Sequence, residues 1–311
     1  MSDPQKPRQR RPRLGADERA RLLAEIAKYD TVPPRPAAPQ PDIAAVAAAE
    51  QAARAALIGA QEGQPTLPRV VDVWSNLLTI PVDPRTLARN LVITASREDP
   101  AHAAFDVLRT RLVQALAARG WRRVGITSPT RDCGKTFTAV NLAITLSRYD
   151  DCRTVLMDMD LRNPTLARRI GANAPLAMGD YLRGTVPSEA FLRRMAPNDL
   201  QIGSNLAFGL NGRIEPYAAE LFQQQSTTDV LERLQDETQA DVVLFDLPPA
   251  LAQDDVIAFR AHFDCILMVV GGGITKASDV RESIRRLGED KPVIGIVLNK
   301  GEGEGVDDYT Y

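Results

Sequence analysis

The chain has 311 residues, 44% of them apolar and 25% charged, with a formal net charge of −2. That is material for one large domain with appendages or for two domains, and the near-neutral balance gives no reason to expect nucleic acid as a partner. Cys133, Cys152 and Cys265 are far apart and form no C-x-x-C pair, which argues against a zinc or iron–sulfur site and for a reduced compartment.

Charge is unevenly placed: Lys6, Arg8, Arg10, Arg11 and Arg13 crowd the N-terminus, and Glu302, Glu304, Asp307 and Asp308 the C-terminus. Such runs read as solvated tails. Residues 1–81 read as an extension. Ala16, Ala20, Leu22, Leu23, Ile26 and Ala27 follow one helical stripe, so a single isolated amphipathic helix is expected there. The run PPRPAAPQP then forms an extended linker, and the Ala-rich stretch from Ile43 to Ala60 is helix-prone without the bulk for a core, leaving the extension largely disordered or loosely helical. No uninterrupted apolar run reaches the roughly 18 residues of a membrane span, and the basic lead runs into charged residues rather than the apolar core of a secretory signal.

A globular composition starts at Val82 and extends to Lys300, with 301–311 as a flexible acidic tail. Leu91–Thr94 is a strand-like run, and Asp99-Pro100 leads into a helix whose Phe105, Leu108, Leu112 and Leu116 face a core until Gly120. From Val124 an apolar strand enters a tight turn with Gly134-Lys135-Thr136 and then a helical pattern. Backbone amides, a lysine and a hydroxyl that can hold Mg²⁺ are what the phosphates of a nucleotide require. The full phosphate-loop pattern asks for Gly at its first position; Pro129 stands there, so only its second half is intact.

Beyond the loop, buried strands alternate with helices, which predicts a doubly wound, mostly parallel α/β sheet of the P-loop NTPase kind. The expected strands are Thr154–Met157 ending in Asp158, Asp241–Phe245 ending in Asp246, Ile266–Val270, and Val293–Leu298 ending in Asn299-Lys300. Polar residues at three of these carboxyl ends fall where open parallel sheets bind ligands. Between them, Leu182, Phe191 and Leu192 read as core and SNLAFGLNGR as a surface loop. Asp158 and Asp160, two positions apart at a strand end, repel one another unless a cation lies between them, and a Mg²⁺ beside phosphates supplies one. Asp246, before Leu247-Pro248-Pro249, can hold a metal-bound water.

This order of a phosphate loop, a strand ending D-x-D-x-R-x-P, a strand ending D-x-P-P and a late V-L-N-K resembles the bacterial tyrosine kinases of the CpsD/CapB and Wzc type. These are relatives of the Min and Par partition ATPases within the deviant P-loop class. The resemblance runs from about Val82 to Lys300 and includes the AFDVLRT helix. It implies ATP and Mg²⁺ as cofactors, with Thr130, Arg131, Asp132, Cys133, Gly134, Lys135, Thr136 and Phe137 forming the phosphate site and Asn299 contacting adenine. Lys135, Asp158 and Asp160 would be catalytic, with Asp158 accepting the tyrosine proton, while Thr136, Asp160 and Asp246 would organise the metal. It further implies autophosphorylation at Tyr309 and Tyr311 and a role in exopolysaccharide or capsule polymerisation and export. A cytoplasmic location at the inner face of the plasma membrane follows, through a separate transmembrane polysaccharide co-polymerase. A homo-oligomer and a protein tyrosine phosphatase are further implied partners.

The sequence departs from that family at several positions. Asp132 stands where the family usually has Gly, and Cys133 replaces an acidic residue. The E-x-x-R-x-x-R helix motif reads Ala103, Asp106 and Arg109, and the terminal tyrosine cluster is reduced to two. Two other functions therefore stay open. One is a nucleotide-switched binding module without kinase chemistry. The other is a partition-type ATPase, which would carry a lysine where this chain has Thr130. A thiol at a helix start can also be reactive, so oxidation of Cys133 is a candidate control on nucleotide binding.

Overall fold

A computed structural model of the chain describes residues 15–29, 70–95, 99, 101–149, 151–288 and 290–301. The basic lead, the Pro-rich run, the Ala-rich stretch, Tyr309 and Tyr311 lie outside the described residues. The chain forms α1 (Ala16–Ala27), α2 (Val70–Asn76), β1 (Leu78–Ile80), α3 (Pro84–Arg89), α4 (Ala101–Ala117), β2 (Arg123–Thr127), α5 (Lys135–Leu146) and β3 (Thr154–Asp158). There follow α6 (Leu166–Ile170), α7 (Met178–Leu182), α8 (Ser188–Phe191), β4 (Arg193–Met195), β5 (Leu206–Gly209), α9 (Ala218–Phe222) and α10 (Gln225–Thr238). The last elements are β6 (Val242–Asp246), α11 (Asp255–Ala258), β7 (Cys265–Gly271), α12 (Ala277–Leu287) and β8 (Val293–Asn299).

One eight-stranded sheet carries the fold, in the order β1-β4-β5-β3-β6-β2-β7-β8. Its neighbours are parallel except for the antiparallel pair β4 and β5. Strands β3, β6 and β7 are buried along their whole length because helices cover both faces, which is why they read as continuous apolar runs rather than alternating ones. One face packs Met157, Phe191, Phe222, Phe245 and Phe259. The other packs Leu112 and Leu116 of α4 and Leu142 and Ile144 of α5 over Val124 and Leu244.

The doubly wound architecture is as expected, with four local differences. Leu91–Thr94 is not a strand. Leu91 takes φ 60°, residues Ile93–Ala95 form a 3-10 turn, and Thr94 is bonded instead to Asn141 of α5 through its backbone N–H (3.0 Å) and its hydroxyl. The expected surface loop SNLAFGLNGR contains β5, fully buried between β3 and β4. Four residues are too few to show a period, and Gly209 sits there because a Cβ would meet Met157 Sδ at 2.5 Å.

The folded body also begins ahead of residue 82, since β1 pairs with β4, Leu77 is buried, and Trp74 donates its indole N–H to the Thr238 carbonyl at 2.8 Å. Finally, α1 is not isolated. Leu22 and Glu25 are buried, Glu25 pairs with Arg281 of α12 at 3.2 Å, and Glu18 faces Lys276 at 3.8 Å.

Candidate nucleotide site

The loop between β2 and α5 owes its shape to two residues with left-handed backbone. Gly134 takes φ 97° and Asp132 φ 66°. Asp132 thus holds a conformation that favours glycine, and its exposed side chain points to solvent rather than into the loop. A Cβ on Gly134 would lie 1.9 Å from Asn299 Nδ2. The contact exists because Asn299 donates to the Cys133 carbonyl at 2.9 Å, while Lys300 Nζ donates to the Asp132 carbonyl at 2.7 Å. The end of β8 therefore braces the loop through two of its carbonyls. The first amides of α5, from Lys135 to Phe137, have no carbonyl within the helix to receive them. Together with the helix dipole they form an anion-binding end.

Below this end lies a buried charge cluster. Lys135 Nζ donates to Asp160 Oδ2 at 2.8 Å and lies 3.7 Å from Asp246 Oδ1. The Thr136 hydroxyl donates to Asp246 Oδ2 at 2.6 Å and contacts the Thr165 hydroxyl at 3.2 Å. Asp158 and Asp246 are paired across the β3–β6 register, both fully buried. Asp158 Oδ2 accepts the backbone N–H groups of Thr165 and Leu166 at 3.1 and 3.0 Å, which fixes the turn after β3. Burial, reinforced by Asp246, lifts the Asp158 carboxyl well above the usual range. Burial also raises Asp246, against the pull of Lys135 and the Thr136 hydrogen bond. Desolvation would depress Lys135, yet Asp246 and Asp160 outweigh it and hold the ammonium above its usual value.

Three carboxylates against one lysine leave an excess of negative charge in a buried site. Asp158 Oδ1 and Asp246 Oδ1 have no hydrogen-bond partner among the described residues. Buried carboxylate oxygens of this kind are costly unless a cation completes them, so the residues present fit a divalent cation.

Among the expected site residues, Gly134, Lys135, Thr136, Asp158, Asp160 and Asp246 come together. Phe137 turns its ring edge-on to Phe105, 5.8 Å away, so only its backbone serves the loop. Thr130 is half-buried and Arg131 exposed. Asn299 braces the loop with its amide nitrogen, and its oxygen accepts the Lys300 N–H. Cys133 is closed off, 1% exposed, with Sγ 3.4 Å from the Thr275 hydroxyl; an oxidant does not reach it as expected of an exposed helix-start thiol. Asp106 and Arg109 pair with each other at 3.1 Å, and the Arg109 guanidinium lies over the Tyr149 ring.

Asp255 and Thr165 escaped the sequence, whereas Arg162 stands in the D-x-D-x-R-x-P motif with no partner assigned to it. Arg162 makes a forked contact with the buried Asp255, at 2.9 Å from Nε to Oδ2 and 3.0 Å from Nη2 to Oδ1, tying the turn after β3 to α11. Thr165 meets Thr136. No local signal marks Asp255, because its partner is 93 positions away.

Known proteins share both sequence and fold with this chain. Tyrosine-protein kinase wzc of Salmonella typhi is 27% identical over 226 residues, 71% of this chain and 30% of that protein. Tyrosine-protein kinase etk of Escherichia coli K12 is 26% identical over 202 residues, 65% of this chain and 27% of that protein. The chain thus spans under a third of the length of the curated relatives it matches. Among solved structures, the VpsO kinase domain is 26% identical with a TM-score of 0.55, covering 64% of this chain and 96% of that one. The kinase domain of Escherichia coli ETK, at 22% identity and a TM-score of 0.61, covers 80% of this chain and 99% of that one and agrees in fold. No helix among the described residues is long and apolar enough to cross a membrane. The model of the CobQ/CobB/MinD/ParA nucleotide binding domain matches residues 124–307, from the strand before the phosphate loop past the brace on it, and the chain belongs to that family.

Proposed function

We propose that the chain is an ATP-dependent protein-tyrosine kinase that phosphorylates its own C-terminal tyrosines, Tyr309 and Tyr311. The observation that carries this reading is the 26% identity to the VpsO kinase domain across 96% of its length, over a site that keeps Lys135, Thr136, Asp158, Asp160 and Asp246 in contact. In this reading Lys135 leaves Asp160 for the nucleotide phosphates, beside the free amides at the start of α5. Thr136 with Asp160 and Asp246 would hold Mg²⁺, which neutralises charge on the phosphoryl group. Asp158 keeps Oδ2 on the Thr165 and Leu166 amides and offers Oδ1 to the tyrosine proton. Its raised proton affinity suits a base, and its burial means that tyrosine reaches it only after Lys135 has moved. Asn299 stays on the loop and flanks the base. We further assign the chain to control of exopolysaccharide or capsule polymerisation and export at the inner face of the plasma membrane. Its partners there are a separate transmembrane co-polymerase, further copies of itself and a tyrosine phosphatase.

The test is incubation with Mg-ATP, with and without the cytoplasmic segment of the membrane partner, followed by phosphopeptide mapping. Wild type gains phosphate on Tyr309 or Tyr311, and Lys135→Ala and Asp158→Asn do not. A wild-type preparation that binds ATP and stays unphosphorylated in both conditions overturns the kinase reading in favour of a nucleotide-switched binding module.

A further inference from the structure

The turn after β3 runs into α6, and the Thr165 and Leu166 amides at its start hold Asp158 Oδ2. Arg168 and Arg169 stand in the last turn of this helix, only about 5 Å along its axis from Leu166. Arg168 is exposed and Arg169 half-buried. Burial and the neighbouring Arg168 lower the proton affinity of the Arg169 guanidinium, while Asp246 pulls it up, which sets Arg169 within electrostatic reach of the buried carboxylates.

Helix α3 is docked on α6. Asn90 donates Nδ2 to the Arg168 carbonyl and accepts from Arg169 Nη1 at its own carbonyl, both at 2.8 Å. Gly171 lies so close to α3 that a Cβ there would be 2.5 Å from Thr86 Cγ2. Arg85 and Arg89 are exposed and share one face of α3, a turn apart. Neither helix contains an acidic residue. Asp83 precedes α3, where it accepts the Arg85 and Thr86 N–H groups and the Thr86 hydroxyl and offsets Arg85. Arg89, Arg168 and Arg169 make no ion pair among the described residues. A cation in the last turn of a helix is ordinary; four guanidiniums from two packed helices against one carboxylate form a patch that calls for an anionic partner.

The sequence supplies one. The ten residues after Gly301 lie outside the described residues and contain Glu302, Glu304, Asp307 and Asp308 with no lysine or arginine. Asp307 and Asp308 directly precede Tyr309. We propose that the corner formed by α3 and α6 is the docking site for this acidic run, with Arg168 and Arg169 pairing with Asp307 and Asp308. The inference rests on the kinase reading and adds to it what selects the acceptor tyrosine. With Tyr309 at Asp158, an extended chain sets Asp308 and Asp307 about 3 and 7 Å upstream, the same span that separates the two arginines from the amides on Asp158. A guanidinium fork matches a carboxylate in shape as well as charge. Docking there uses none of the residues assigned to the phosphates or the metal, so it governs peptide affinity and leaves ATP affinity alone.

The test is anisotropy titration of a fluorescein-labelled peptide of residues 301–311 with the full chain at low salt, in Mg-ADP. The expected result is saturable binding that weakens about tenfold when Asp307 and Asp308 of the peptide are replaced by Asn, an arm that needs no variant of the protein. Arg168→Glu weakens the native peptide by about tenfold or more, through like-charge contact, and leaves ADP affinity and the thermal melt unchanged. A peptide carrying Asp307→Lys and Asp308→Lys reverses the order and binds Arg168→Glu more tightly than wild type. Equal affinity for the Asp and Asn peptides, no saturable binding of the native peptide, or the absence of that reversal overturns the proposal. Phosphotyrosine measured on the same wild-type preparation with Mg-ATP keeps the two readings apart. Phosphorylation without the charge pattern sinks the docking site alone, and the charge pattern without phosphorylation sinks the kinase reading alone.

Discussion

Asp158→Asn separates the stability of the site from its function. Asp158 and Asp246 lie side by side on adjacent strands, which are about 5 Å apart. Two carboxylate charges at that distance repel by about 3 kcal/mol at an effective dielectric of about 20. Lys135, 3.7 Å from Asp246, offsets part of this. The amide keeps an oxygen for the Thr165 and Leu166 N–H groups and brings an NH₂ donor beside Asp246, whose Oδ1 has the Lys135 ammonium at 3.7 Å but no hydrogen bond among the described residues. A gain of about 1–2 kcal/mol is expected for the metal-free protein, or roughly 3–6 °C in Tm for a domain of this size.

The pH dependence follows from the direction of the shift. The folded carboxyl titrates above its unfolded value, so wild type loses stability as pH rises from the usual carboxylate range through the raised value, and the penalty stays in full above it. The variant lacks that loss, so its advantage is larger at pH 8 than at pH 5. Thermal melts in EDTA at both values read it, alongside phosphotyrosine, which the variant fails to form. An Asp158→Asn protein less stable than wild type at pH 8, or equally favoured at both pH values, refutes the account of the cluster.

Lys135→Ala removes the ammonium from the cluster and lowers nucleotide affinity about 100-fold, or about 2.7 kcal/mol, in a fluorescent-nucleotide titration. Gly134→Ala combines a left-handed φ with a clash on Asn299; a loss of about 2 kcal/mol in urea unfolding is expected, together with loss of nucleotide binding. Arg162→Ala leaves the Asp255 carboxylate buried without its fork and costs about 2–3 kcal/mol, much of it regained in the Arg162→Met/Asp255→Leu pair. Peroxide leaves ATP binding unchanged as long as the protein is folded, because Cys133 is closed off; mass spectrometry of the treated protein checks that its thiol is unmodified.

What the sequence determined by itself was the part built from contiguous residues. Buried parallel strands need runs of apolar residues, and a phosphate loop needs Gly134-Lys135-Thr136 in one turn, so strands β2, β3, β6, β7 and β8 and the aspartates that end β3 and β6 were legible. Where contacts span long separations, local pattern carried no signal. β5 is four residues long and is a strand only because β3 and β4 flank it. Trp74 and β1 belong to the core through Thr238 and β4, and α1 gains its place from ion pairs with α12. The 3-10 turn at Ile93–Ala95 shows the converse, an apolar run diverted from strand pairing by Asn141. At the site, sequence supplied the chemistry of the phosphate loop and its aspartates. Tertiary structure decided that Asp132 points outward, that Asn299 and Lys300 hold the loop by its carbonyls, that Cys133 is sealed, and that Arg162 is anchored on Asp255. Each of these depends on residues that meet only when the sheet is complete.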